Sequence, residues 1–224
     1  MNKIDFLCIG AHPDDCEIAM GGTIAKMVSQ GYKVMILDLT NGEPTPMGTP
    51  EKRMKEAKKA AEILGVDRIT LDLKNRFLFD SLEARFKVAS VIRKYKPEVI
   101  FCHFELDAHP DHIQAFNISY ASRFYSKLTK VPLEGQSWYP KRIIRFFSNH
   151  LRINVTPSFV VDISDFIEKK IESCKAYESQ FNAFNVEDYI RTFASYWGLL
   201  ARTRYAEPFY LHEILLLDPS SLLV

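Results

Sequence analysis

Short, nearly unbroken apolar runs alternate along the first half of the chain with stretches in which apolar residues recur every three or four positions. The runs are Ile4 to Gly10, Lys33 to Leu39, Arg68 to Leu73 and Glu98 to Phe104, and their length and bounding turns are those of strands buried on both faces. Between the first two, Ile18, Met20, Ile24, Met27 and Val28 make a helical stripe over Glu17 to Gln30, and Gly31 supplies the stop. Thr49-Pro50 opens a second helix, with Met54, Ala57, Ala60, Ala61 and Leu64 on one face and Gly65 at its end. Leu82 to Tyr95, stopped by Pro97, and Asp111 to Tyr125 predict two more. Strands alternating with helices predict an α/β fold whose parallel sheet is joined by right-handed crossovers.

After Lys130 the alternation loosens. Strands are expected at Ile143 to Ser148 and Phe159 to Ile163, then a helix capped by Ser164 or Asp165 and running to about Phe181. A further helix is expected from Glu187 to Ala201 and a last strand from Tyr210 to Leu217. Gly21 and Gly22 lie inside the first helix, where each costs about 1 kcal/mol relative to alanine, so close packing against the sheet is the expected reason for them. The segment Thr40 to Gly48 holds too many glycines and prolines for regular structure. A chain of 224 residues suits one domain spanning 1–224 better than two small ones.

Composition narrows the picture by exclusion. A formal net charge of +1 provides no basic field for nucleic acid, and 47% hydrophobic with 25% charged residues is ordinary for a globular protein. No stretch approaches the ~20 apolar residues of a membrane span, and the run from Phe6 to Ala11 is shorter than a signal-peptide core, which predicts a cytoplasmic protein. Cys8, Cys16, Cys102 and Cys174 show no C-x-x-C spacing, so no disulfide is expected. No G-x-G-x-x-G follows the first strand, which argues against a nicotinamide cofactor.

The chemistry is concentrated in two turns. Ala11-His12-Pro13-Asp14-Asp15 follows the first strand, and His109-Pro110-Asp111-His112 follows the fourth. A lone His-Pro-Asp turn is ordinarily a strand-to-helix connection in which proline fixes the backbone and aspartate caps the helix. Two of them, holding three of the six histidines at carboxyl ends of strands, point to a shared site. In a sheet of order 3-2-1-4-5, strands one and four are neighbours, and the crevice at their carboxyl ends is where ligands bind. His12, Asp15 and His112 then make a two-histidine, one-carboxylate set with an open position, the arrangement of catalytic zinc, although iron or manganese also suits nitrogen and oxygen ligands. Asp14 is placed to be a general base, His109 to stabilise an oxyanion or protonate a leaving amine, and Asp111 to orient His109. His103 is expected to be a strand residue near the site, Asp107 and Glu17 loop or cap acids, and His150 and His212 plain polar positions. Arg53, in the first turn of the second helix, either faces solvent or points at something anionic or polar.

At these residues the sequence resembles the PIG-L/LmbE family of zinc-dependent N-acetylglucosaminyl deacetylases, which includes bacillithiol- and mycothiol-type enzymes. The resemblance rests on A-H-P-D-D at 11–15 with Gly21-Gly22, L-T-N-G-E at 39–43, Arg53, H-P-D-H at 109–112 and Y-A-E-P-F at 205–209. It implies a Rossmann-like three-layer sandwich with a mostly parallel sheet. It also implies a metal held by His12, Asp15 and His112, Asp14 as base, His109 with Asp111 assisting charge development, and Arg53 on the substrate. The expected partner is a small N-acetyl amino sugar or glycoconjugate, with no nucleic acid and no membrane, and the family suggests a homo-oligomer. Two other readings stand beside hydrolysis of the N-acetyl group: an inactive metal- and sugar-binding module of the same fold, and a metallophosphoesterase. The segments 130–154 and 181–204 match no subfamily pattern.

Overall fold

The computed structural model describes residues 3–148, 155–182 and 185–216. Strands β1 (Phe6–Gly10), β2 (Val34–Thr40), β3 (Asp67–Leu73) and β4 (Val99–His103) alternate with helices α1 (Asp15–Ser29), α2 (Pro50–Leu64) and α3 (Leu82–Tyr95). Then come α4 (Pro110–Lys127), β5 (Arg142–Phe146), β6 (Phe159–Asp162), α5 (Ile167–Lys175), α6 (Glu178–Phe181), α7 (Val186–Leu200) and β7 (Ala206–Tyr210). The seven strands form one sheet in the order β3-β2-β1-β4-β5-β7-β6. From β3 to β5 neighbours are parallel, and β7 pairs antiparallel with both β5 and β6.

Strand alternation sorts the core into two layers. Leu7 and Ile9 of β1 pack with Ala84, Val88 and Ile92 of α3 and with Ala115 and Ile118 of α4. Cys8, from the opposite face of the same strand, packs with Cys16, Met20 and Ile24 of α1, Leu64 of α2 and Phe209 of β7. These positions are buried on both sides of the sheet, so the strand reads as a continuous apolar run. All four cysteines are buried free thiols. Among the described residues, no helix is long and apolar enough to cross a membrane.

Three expectations need correction. The last strand is Ala206–Tyr210, not Tyr210 to Leu217, and residue 217 lies outside the described residues. Pro208 has no N–H for the ladder. Pairing with β5 begins only at Phe209, so at Pro208 only the β6 flank carries a partner strand. The helix expected from Ser164 to Phe181 is a 3-10 turn (Ser164–Phe166) followed by α5 and α6. The space a Cβ would need at Gly21 and Gly22 is taken by side chains that lie outside the strands. A Cβ on Gly22 would lie 2.7 Å from the Ile163 side chain, and one on Gly21 would lie 3.3 Å from Lys170 of α5.

Candidate active site

Because β1 and β4 are adjacent and parallel in the middle of the sheet, the turns that follow them meet at the carboxyl ends of the strands. In the first turn Asp14 occupies the position just before α1 with φ 113°, a left-handed conformation that non-glycine residues rarely adopt. Strain of this kind persists where surrounding contacts enforce it, commonly at functional sites. Two contacts act here: the His12 N–H donates to Asp15 Oδ2 at 2.8 Å, and Arg53 Nη2 lies 3.1 Å from Asp14 Oδ2. In the second turn His109 caps α4, its Nδ1 accepting the Asp111 N–H at 3.1 Å, while its own N–H donates to Asp107 Oδ1 at 2.8 Å.

The structure brings His12, Asp15 and His112 together, with one ligand atom of each within 4.8 Å of the others and all three residues buried. His112 Nε2 is 3.2 Å from Asp15 Oδ1, and His12 Nδ1 is 3.5 Å from Asp15 Oδ2. Asp107, expected to be only a cap, has a second role: its Oδ2 lies 3.0 Å from His112 Nδ1 and fixes that ring. A carboxylate behind a histidine is the usual way of orienting a metal ligand. His112 Nδ1 also lies 3.0 Å from Ser148 Oγ. Two further sets, His12 with His109 and Asp111 and His103 with Asp107 and His112, overlap the first. They share His12 and His112, so all three describe one neighbourhood. Two imidazoles and a buried carboxylate backed by a second carboxylate fit a divalent cation of the zinc, iron or manganese type.

His103 is a strand residue, as expected, yet it touches the ligand set. It is fully buried, with Nε2 3.1 Å from both Asp15 Oδ2 and the Ala11 backbone nitrogen. Burial lowers its pKa to about 4 and keeps it neutral, and its Nδ1 has no hydrogen-bond partner among the described residues. Three imidazoles form a stack, with His103 and His112 centroids 4.2 Å apart and His109 and His112 4.6 Å apart, and the His12 ring stands edge-on to His109 at 4.9 Å.

Asp14 lines the pocket beside the ligands. Burial raises its pKa to about 7, against the pull of Arg53. Asp111 meets His109 through its backbone N–H, and its carboxylate also serves His12, with Oδ2 3.3 Å from His12 Nε2. The same oxygen accepts the Arg76 N–H at 2.6 Å. Arg53 is buried at 2% exposure, which removes the solvated alternative. Its Nη2 donates to the Pro13 carbonyl, its guanidinium lies 5.4 Å from the Tyr177 ring, and its Nε and Nη1 have no partner among the described residues. Asp14, Arg53, His109 and the ligand set, with Arg76, Asn75, Thr45 and Gln180, line a pocket of about 180 Å³.

Glu17, expected as a cap, is fully buried and accepts hydrogen bonds from Arg68 at 2.5 Å and the Tyr177 hydroxyl at 2.8 Å. His212 is not among the residues lining this pocket, and His150 falls outside the described residues.

Residues 7–122 match the model of the PIG-L family, described as GlcNAc-PI de-N-acetylase. The chain belongs to this family. It is 34% identical over 90% of its length to the diacetylchitobiose deacetylase of Thermococcus kodakarensis, covering 80% of that protein. Its fold is similar to that of the conserved protein TT1542 from Thermus thermophilus, with a TM-score of 0.90, 38% identity, and coverage of 96% of this chain and 98% of that one. The same architecture occurs in the 4-carboxy-2-hydroxymuconate hydratase GalB of Pseudomonas putida KT2440, with a TM-score of 0.83, 20% identity, and coverage of 96% and 99%. Fold alone therefore does not select the reaction, and the site must. The A-H-P-D-D and H-P-D-H turns both lie within the matched family segment.

Proposed function

We propose that the protein is a metal-dependent amidohydrolase that removes the acetyl group from an N-acetylglucosamine-type sugar or glycoconjugate, leaving a free amine and acetate. The observation that carries this reading is the convergence of His12, Asp15 and His112 with Asp14 and His109 on one pocket. Its relatives include a diacetylchitobiose deacetylase, which acts on a sugar of this class. His12, Asp15 and His112 would hold the cation, for which zinc is the preferred identity and iron or manganese are alternatives, and when bound it would supply electrophilic charge to polarise the acetyl carbonyl and acidify water.

The remaining steps belong to the chain's own groups. Asp14, with Oδ2 held by Arg53, takes the proton of the attacking water, as suits a carboxylate whose pKa is about 7. His109 accepts the Asp111 N–H at Nδ1, so in its neutral form its proton sits on Nε2 and can be donated to the developing oxyanion. As the C–N bond breaks, that proton or the one held by Asp14 passes to the amine nitrogen, and the water oxygen leaves in acetate. Arg53 keeps two donors for a sugar hydroxyl or carbonyl.

An inactive binding module would have no use for a strained Asp14 beside the ligands, and phosphoesterase sites usually hold two ions, whereas these donor sets share residues. We place the protein in a reducing compartment, in keeping with its four buried thiols, and infer a homo-oligomer, in keeping with the exposed Phe193, Tyr196, Leu199 and Leu200 on α7. The test of the function is metal analysis of purified protein followed by acetate release from a panel of N-acetyl sugars. Metal-loaded enzyme that releases acetate from none of them would overturn the reading.

A further inference from the structure

The pocket around the ligand set, at about 180 Å³, is smaller than the ~300 Å³ at which ordinary ligand pockets begin. A substrate larger than one acetamido sugar must extend beyond it. Pro44 and Asn75 line this pocket and also line an adjoining groove of about 420 Å³. The groove is lined by Leu71 and Leu73 of β3 and by Asn41, Lys74 and Phe77.

Phe77 is 79% exposed and presents its ring on the groove. Its location is fixed by the residue before it. Arg76 adopts φ 66° and gives its backbone N–H to Asp111 Oδ2 at 2.6 Å, which ties the β3–α3 connection to the second metal turn. The aromatic ring therefore stands on a segment pinned to the site. The charged groups lining the groove are Glu43, Asp72 and Lys74, so no cationic excess awaits an anionic group. Two leucines, two side-chain amides, charges of both signs and an exposed aromatic ring make a surface a neutral sugar ring recognises, by stacking and hydroxyl hydrogen bonds.

We propose that this groove is a second subsite, with Phe77 as its specificity-determining residue, and that it takes a neutral sugar ring linked to the one whose acetamide faces the ligand set. This rests on the deacetylase reading above. The test compares kcat/KM for N-acetylglucosamine, for N,N'-diacetylchitobiose and for an N-acetylglucosaminide with a carboxylate-bearing aglycone. Wild-type enzyme is expected to prefer the disaccharide to both others. Phe77→Ala should lower the disaccharide value about three- to tenfold, the size of one aromatic stacking contact, and leave the monosaccharide within about twofold. Phe77→Tyr should restore the preference. Equal losses on both sugars, no preference for the disaccharide, or preference for the carboxylate aglycone would overturn the subsite while leaving the deacetylase reading intact. Wild-type enzyme silent on all three would instead remove the reaction on which the subsite depends.

Discussion

Asp14 and Asp15 are adjacent carboxylates with opposite fates. Asp15 is held well below the usual carboxylate range by the facing His112 and His103 despite its burial, and remains charged for a cation. Burial moves Asp14 the other way, to about 7. Asp14→Asn should therefore keep its metal and lose about 100-fold to 10,000-fold in kcat, measured by acetate release alongside elemental analysis. The base acts only when deprotonated, so the acid limb of kcat/KM should fall as pH drops below about 7, and a bound cation, by favouring the carboxylate, moves that limb lower. A limb unchanged in Asp14→Asn would detach it from this residue. Asp107→Asn tests the orientation of His112: the ligands stay in place, and metal affinity, read by competition with a chelator, should fall about 10- to 100-fold. That Asp107 has this role was not legible in the sequence, because a carboxylate two residues before an N-cap reads equally well as a turn acid, and only the fold of α4 onto β4 brings it to His112.

At the scale of elements, the first helix shows how a local rule fails for a tertiary reason. Met20 has non-helical backbone angles (φ −144°, ψ 22°), and α1 is in effect two helices joined at a kink. The N–H groups of Gly22 and Thr23, just past the kink, donate to Glu207 of β7 at 3.0 and 2.7 Å. Glu207 also takes Lys170 Nζ at 2.5 Å, and both side chains are buried. The carboxylate thus caps the restarted helix and neutralises a buried ammonium. Glu207→Ala should cost about 3–5 kcal/mol, because it leaves Lys170 uncompensated, and Lys170→Met on that background should recover much of the loss in thermal or denaturant unfolding. Additive losses in the double variant would show that the pair is not coupled. The helical stripe of α1 predicted the element, but neither the kink nor the partner of its glycines, since both depend on residues more than 140 positions away.

For the whole molecule, the exposed apolar side chains of α7, with Leu199 at 76% and Leu200 at 62% exposure, are expected to be covered by another copy. Light scattering should report more than one chain per particle, and Leu199→Lys with Leu200→Lys should shift it toward monomer; a wild-type monomer would end that expectation. The sequence by itself determined the four parallel strands, the helices between them and the two turns that carry chemistry, because apolar periodicity and turn residues are local signals. It also placed His12 and His112 at strand ends that a 3-2-1-4-5 order makes neighbours, an order present in the observed sheet. Tertiary structure alone decided the rest. It inserted β7 between β5 and β6, buried Arg53 against Tyr177, set His103 and Asp107 behind the ligands, and drew Glu17 to Arg68. For Asp107 and Glu17 a polar group taken out of water needed a specific partner, and for β7, Arg53 and His103 the neighbour was likewise set by the packing of distant segments, which no local pattern records.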